Sequence, residues 1–272
     1  MSKIWFITGV SRGFGREWAL AALSRGDRVA GTARDLSTLD DLTARHPETF
    51  LPIRLDVTDR AGDFAAVQQA AQHFGRLDVV VNNAGYGQFG MIEELTEDEF
   101  RAQFETNVFG ALWVTQAALP ILRAQGSGHI LQVSSIGGIA AFMNLGAYHA
   151  SKWALEAFSQ SLAQEVAEFG IHVTLIEPGG FGTDWAGPSS KHATPNPAYD
   201  AVRERRAAQR AVQRSGDPTA TGAAILAVVD ADQPPLRMFL GEIPLSIATA
   251  EYESRLALWQ RWQPVSAAAQ GN

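Results

Sequence analysis

A tyrosine and a lysine stand four residues apart in Ala147-Tyr148-His149-Ala150-Ser151-Lys152-Trp153, at the head of a stretch with the pattern of a long amphipathic helix. At that spacing both side chains lie on one helix face. A phenol is a poor acid near neutral pH, with a pKa of about 10. An ammonium held close favours the phenolate and brings proton exchange towards neutrality. Tyr-x-x-x-Lys is short and arises often by chance, so its meaning depends on what the rest of the chain builds around it.

A nucleotide site is the first thing it builds. The apolar run Ile4 to Ile7 predicts a buried strand. Thr8-Gly9-Val10-Ser11-Arg12-Gly13-Phe14-Gly15 follows, and a helical pattern starts at Arg16. Strand, glycine-rich turn and helix make the context in which glycines cradle phosphate. Gly9 allows the tight turn, Gly13 the approach of backbone to a pyrophosphate, and Gly15 close helix packing. The helix N-terminus adds free N–H groups and a positive dipole end. Ser11, Arg12 and Phe14 complete the loop as candidate cofactor contacts.

The next strand, Arg28 to Ala33, has Ala33 where an NAD site usually carries an acid for the ribose 2′-hydroxyl, and Arg34 follows. A guanidinium suits a 2′-phosphate, so NADP(H) is expected over NAD(H), with Arg34 or Arg12 on that phosphate. Asp35 is expected to start the following helix, where an acid suits the dipole. A solvated loop arginine is the bland alternative for Arg34.

Strands and helices keep alternating. Phe50 to Leu55 predicts a strand ending in Asp56-Val57, then a helix runs from Ala61 to Phe74. Leu77 to Val81 predicts a buried parallel strand ending in Asn82-Asn83-Ala84-Gly85. A helix from Glu97 to Leu122 carries Asn107 among apolar residues, so its amide should be buried with partners. The strand His129 to Val133 ends in Ser134-Ser135, where substrates bind in such sheets. This predicts a single α/β domain over residues 1–272. It is a Rossmann-like, doubly wound parallel sheet of about seven strands with helices on both faces and ligands at the strands' carboxyl ends.

Composition bounds the function. The 272 residues are 46% hydrophobic and 19% charged, with a net charge of −7 and no cysteine. Disulfides, thiolate nucleophiles and cysteine-held zinc are excluded. The acidic balance argues against a general nucleic-acid partner. The six histidines show no metal-like spacing, so no metal is expected. Ile4 to Ile7 is too short for a signal-peptide core, and no apolar run reaches the ~18 residues of a membrane helix. A cytoplasmic protein without membrane contact is the expectation.

From about Lys3 to Thr183 the chain resembles the short-chain dehydrogenase/reductase family. The resemblance rests on Thr8 to Gly15, Asp56, Asn82-Asn83-Ala84-Gly85, Asn107, the serine and Tyr148-x-x-x-Lys152, in that order. The family places its serine thirteen positions before the tyrosine, which selects Ser135 over Ser134. Pro178-Gly179-Gly180-Phe181-Gly182-Thr183, after a strand Ile171 to Ile176, resembles the family's nicotinamide-side loop. The resemblance makes Pro178, Gly179, Phe181 and Thr183 cofactor contacts, together with Asp56, Val57, Asn83, Ala84, Gly85, Tyr148 and Lys152. It implies hydride transfer between NADP(H) and a carbonyl or alcohol small molecule, with Tyr148 as general acid/base. Lys152 would lower the tyrosine pKa and bond the nicotinamide ribose, Ser135 would steady the substrate oxygen, and Asn107 would hold a water linking Lys152 to solvent. It also implies a homodimer or homotetramer paired through the helices of Asn107 and Tyr148. A nucleotide-sensing binding protein is the competing class, although tyrosine, lysine and serine are all present. A sugar-nucleotide epimerase or dehydratase is a further one, although its usual Gly-x-x-Gly-x-x-Gly differs from the spacing of Gly9, Gly13 and Gly15.

Residues 182–215 predict a substrate-binding loop or lid. Phe181, Trp185 and Tyr199, with Tyr86, Gln88 and Phe89 and with Phe142 and Met143, are candidates for the wall of a bulky or apolar substrate. Packing in the core is the equal alternative. His149 is expected to be packed or exposed rather than to line the pocket. Arg206, Arg210 and Arg214 have the spacing of a solvated helix face. A helix Thr219 to Val229, a strand Leu236 to Leu240, a helix Ser246 to Trp262 and a loose tail from Ala267 close the chain.

Overall fold

The computed structural model describes residues 2–183, 185, 187, 189–211 and 215–271, with the backbone alone described over 206–211. The chain runs β1 (Ile4–Ile7), α1 (Gly13–Ser24), β2 (Arg28–Ala33), α2 (Asp40–Arg45), β3 (Phe50–Arg54), α3 (Arg60–Phe74) and β4 (Val79–Asn82). Then come β5 (Gln88–Phe89), α4 (Glu97–Phe104), α5 (Ala111–Gln125), β6 (Gly128–Val133), α6 (Gly146–Val166) and β7 (Ile171–Pro178). The remainder is β8 (Lys191–His192), α7 (Asp200–Ala211), α8 (Thr221–Asp230), β9 (Arg237–Leu240) and α9 (Ile243–Ala268).

Among the described residues, seven strands form one parallel sheet in the order β3-β2-β1-β4-β6-β7-β9. The pleat of β1 shows how both faces are covered. Trp5 and Ile7 pack with Trp18 and Ala22 of α1 and Val228 of α8. Ile4 and Phe6 pack with Val67 of α3, Val114 of α5 and Leu162 of α6. Successive side chains point to opposite faces, so a strand covered on both must be apolar throughout. Trp18 is fully buried, and its indole N–H donates to Thr221 Oγ1 at 2.8 Å, tying α1 to α8. Truncating such a side chain typically costs about 3–5 kcal/mol. The strand order reverses between β1 and β4, which places the ligand crevice beyond their carboxyl ends.

The structure departs from the sequence reading in several places, most of them at element ends. The helix expected from Glu97 to Leu122 is interrupted by a π turn, Glu105–Gly110, which carries Asn107. There Gly110 approaches Val57 so closely that a β-carbon would lie 2.8 Å from the Val57 carbonyl oxygen. Such single-turn π insertions inside α-helices are rare and frequently fall at functional sites. Residues 182–215 contain β8, which pairs in parallel with β5 as a separate two-stranded ribbon, Gln88 opposite Lys191 and Phe89 opposite His192. The last helix is longer than expected, Ile243–Ala268, and takes in the start of the presumed tail. Pro244 opens its first turn, where a missing N–H costs nothing, and alanine, leucine, arginine and glutamine carry it on. Strand β4 begins two residues later than expected. The arginine stripe lies outside the described residues: Arg214 is not described, nor are the side chains of Arg206 and Arg210.

Candidate active site

Beyond the strand ends lies a cavity of about 880 Å³, within the range of small-molecule sites. One end is built by the loop between β1 and α1. Gly9 has φ +70°, and a β-carbon there would also press on Ala84 at 3.1 Å. Gly15 is excluded from carrying a side chain by Asn83, whose Nδ2 would lie 2.4 Å from the added carbon. Asn83 Nδ2 donates to the Thr8 and Gly9 carbonyls at 2.9 and 3.0 Å, and Thr8 Oγ1 accepts from the Asn83 and Ala84 amides at 3.0 Å each. The asparagine at the end of β4 thus holds the glycine loop in place.

The first turn of α1 has no side-chain cap and no acid, so its amides remain available to an anion. Ser11, Arg12, Gly13 and Phe14 line the cavity there, as does the exposed Arg34 at the end of β2. Asp35 turns away: its carboxylate caps the following 3-10 turn, accepting from the Ser37 amide at 3.0 Å. Asp56 and Val57 line the neighbouring wall, with Asp56 accepting from the Thr58 amide at 3.1 Å. Asn83, Ala84 and Gly85 form the floor, and Pro178, Gly179, Phe181 and Thr183 the far side. Uncapped amides and arginines around a loop without side-chain bulk fit a dinucleotide phosphate. Gly15 does not reach the cavity; it packs beneath it.

The other end lies where β6 meets α6. Ser135 caps a short 3-10 turn, its Oγ accepting from the Gly137 amide at 3.0 Å. Tyr148 and Lys152 are each 6% exposed and line the same cavity as Ser135. Lys152 Nζ lies 5.7 Å from the Tyr148 ring centroid and donates to the Val133 carbonyl at 2.7 Å. Burial pushes the Tyr148 phenol up to about 12, with the bonded Ser135 hydroxyl pulling the other way. Burial draws Lys152 down to about 8, opposed by the nearby Glu156 carboxylate. Desolvation of the phenolate is the largest effect on the Tyr148 phenol in this arrangement.

Asn107 is buried, as its surroundings required, but stands behind the cavity. Its Nδ2 donates to the Tyr86 carbonyl and to Ser151 Oγ, both at 3.1 Å, and its Oδ1 accepts from the Tyr86 amide at 3.2 Å. Both amide protons are taken, which leaves Oδ1 with the side chain's spare capacity for a water.

Of the wall candidates, Trp185, Phe181 and Tyr86 line the cavity. The Trp185 ring lies 4.7 Å from that of Tyr148 and 5.5 Å from that of Phe89. It fits because residue 87 is glycine: a β-carbon there would sit 2.6 Å from the indole. Gln88 and Phe89 are buried in the ribbon, Phe142 packs with Ile136 and Ala248, and Met143 is exposed. Tyr199 bonds Glu93 outside the cavity. His149 is packed rather than lining it, its Nδ1 accepting from the Phe142 amide at 3.2 Å. Three residues near the site escaped the sequence reading. Lys191 lines the mouth, 4.7 Å above the Tyr86 ring. Glu156 and Glu177 are buried behind Lys152, and their signals were an acid four residues after Lys152 and an acid ending the apolar run of β7.

The short chain dehydrogenase family model matches residues 3–194. The chain belongs to the short-chain dehydrogenase family. It is an oxidoreductase of that family, whose members bind a nicotinamide dinucleotide and act on small molecules. It is 43% identical to Oxidoreductase BOA17 of Botryotinia fuckeliana, over 99% of this chain and 100% of that one. It is 35% identical to a 3-ketodihydrosphingosine reductase of Bacteroides thetaiotaomicron, over 89% and 88%. A short-chain dehydrogenase structure from Streptomyces avermitilis superposes with a TM-score of 0.92 at 42% identity, covering 98% of each chain. Among the described residues of this short-chain dehydrogenase, no helix is long and apolar enough to cross a membrane, and no group of three or more His, Asp or Glu is placed to hold a metal ion.

Proposed function

We propose that the protein reduces a ketone or aldehyde to an alcohol, or runs the reverse, with NADP(H) as cofactor and Tyr148 as the proton-transfer group. The observation that carries this reading is the convergence of Ser135, Tyr148 and Lys152 at one end of a cavity whose other end presents the uncapped α1 and Arg34. When bound, the dihydronicotinamide supplies the hydride. Phe181, Thr183, Pro178 and Gly179 hold that end, while Arg34 and Arg12 hold the 2′-phosphate. A 2′-phosphate would be repelled by a carboxylate, and Asp35 is engaged at its own cap.

Tyr148 is kept protonated at neutral pH by burial, which suits a donor to a nascent alkoxide. Ser135 donates to the same oxygen and steadies its charge. The Lys152 ammonium stabilises the phenolate once the proton has left and bonds the nicotinamide ribose. Asn107 holds the Tyr86 backbone and α6 in register beside them. The substrate has a bulky or apolar group that lies against Trp185, Phe181 and Tyr86, beneath a lid formed by residues 182–215. The name of the Bacteroides relative, a keto-group reductase, is in line with carbonyl reduction.

The test is NADPH oxidation across ketones and aldehydes of graded size, with wild type and Tyr148→Phe. Removing the proton donor should lower kcat by roughly 10²–10⁴-fold and leave NADPH binding within about twofold. Undiminished turnover by the phenylalanine variant would remove Tyr148 from this role.

A further inference from the structure

Behind Lys152, on the side away from the cavity, lie two buried carboxyls. Glu156 follows Lys152 by one helical turn and is 6% exposed; Glu177, at the end of β7, is fully buried. Arg237 of β9 reaches both, its Nε 2.9 Å from Glu156 Oε2 and 3.4 Å from Glu177 Oε1. Gly138 makes the room, since a β-carbon there would lie 2.9 Å from Glu156 Cγ and 2.7 Å from Ser134 Oγ. With both carboxyls ionised, neither Glu177 oxygen has a hydrogen-bond donor. A proton shared between the two supplies one and removes the repulsion of adjacent like charges.

We propose that Glu156, backed by Glu177 and Arg237, is a positioning residue for Lys152: the carboxyl pair keeps one proton between them, and their single negative charge at Glu156 holds Lys152 protonated from behind. The charged and titratable groups facing the two are few. They are Tyr148 on the same helix, Glu177 of β7 and Arg237 of β9, while Glu105 of the π turn lines the same cavity as Lys152. The 3-10 turn Ile136–Gly138 contributes none. On α9, Glu251 and Arg255 pair with each other, and Arg255 meets α6 through the Trp153 ring. Burial raises both carboxyls, Glu177 to about 8 with Glu156 adding to it, in keeping with a retained proton.

The importance of that charge for turnover rests on the function proposed above; the charge itself does not. The chain has three lysines, Lys3, Lys152 and Lys191, so ¹⁵N-lysine labelling gives three Nζ resonances. These are titrated by NMR in the full chain without cofactor or substrate. Glu156→Gln should lower the Lys152 midpoint by about one pH unit or more, as loss of an opposite charge at such range does. Glu177→Gln leaves Glu156 as a full carboxylate and should hold the midpoint or raise it. An unmoved midpoint in Glu156→Gln overturns the proposal, as does an equal fall in both variants. Should Glu156→Gln fail to fold, Glu156→Asp withdraws the charge by one methylene, and there an unmoved midpoint is likewise fatal. With an active enzyme, the falling limb of kcat/KM against pH should shift with the NMR midpoint. A shifted midpoint in a protein that reduces no carbonyl would fault the proposed function and leave this inference standing.

Discussion

Arg34 and Asp35 are adjacent at the end of β2 and face different tasks. The aspartate is fixed by its own 3-10 cap, with Ser37 holding its carboxyl below the usual carboxylate range. The arginine is exposed along the cavity wall. On the proposed NADP(H) reading, Arg34→Asp would replace a phosphate donor with a repelling charge at the same place. A charge-assisted hydrogen bond is worth about 1.5–3 kcal/mol, so the NADPH-to-NADH ratio of kcat/KM should fall at least tenfold. Steady-state kinetics with both cofactors would settle it, and an unaltered ratio would move the phosphate site to Arg12. This pair was legible in the sequence because a cap and a strand end are local devices. The same holds for the glycine loop and for Tyr148 and Lys152, whose spacing fixes their common face. Glu156 was visible only as an acid on a helix. Its meaning comes from Glu177 and Arg237, which the sheet brings to it from distant segments.

At the scale of elements, the pattern of strands and helices predicted the sheet, because a strand covered on both faces must be apolar throughout. The π turn was not legible, since the Val57 and Tyr86 backbones that its Gly110 and Asn107 meet come from distant segments. Nor was the β5–β8 ribbon, whose two strands are far apart in the chain and two residues long. The segment 182–215 is held further on by Glu94, whose side chain is 3% exposed and pairs with Arg203. Glu94 also accepts from the Asn196 amide at 2.7 Å, and Arg203 donates to the Asn196 carbonyl at 3.0 Å. Arg203→Ala should therefore loosen this segment before the sheet. A local loss of about 1.4 kcal/mol is tenfold in an equilibrium, so amide exchange across Lys191 to Asn196 should quicken about tenfold while the strands hold their protection. Exchange unchanged across that stretch would show that the latch carries no load.

The whole molecule carries a net charge of −7, yet several of its acids are placed where ionisation is costly. Asp63, in the first turn of α3, is fully buried and neither of its oxygens has a hydrogen-bond partner. Burial raises it to about 8, with Asp59 and Asp56 adding to the effect. Its folded pKa stands above the unfolded value, so its contribution is fully present at low pH and is lost as pH rises through the folded pKa. Asp63→Asn escapes that loss. The variant should gain on wild type in thermal stability from about pH 4 upwards, with the difference levelling off near pH 8. Parallel melting curves over that range would test it, and a difference independent of pH would contradict it. The sequence offered no sign of this, because Asp63 reads as an ordinary helix-start acid.

The indole of Trp185 rests on the ring of Tyr148 and is gripped between Gly87 and Phe89. If Tyr148 is the proton donor and Trp185 the substrate wall proposed above, the wall and the acid are in direct contact. A substrate large enough to displace the indole would strip that contact from the phenol ring. Oversized substrates would then appear as ligands that bind and turn over slowly rather than as ligands that fail to bind.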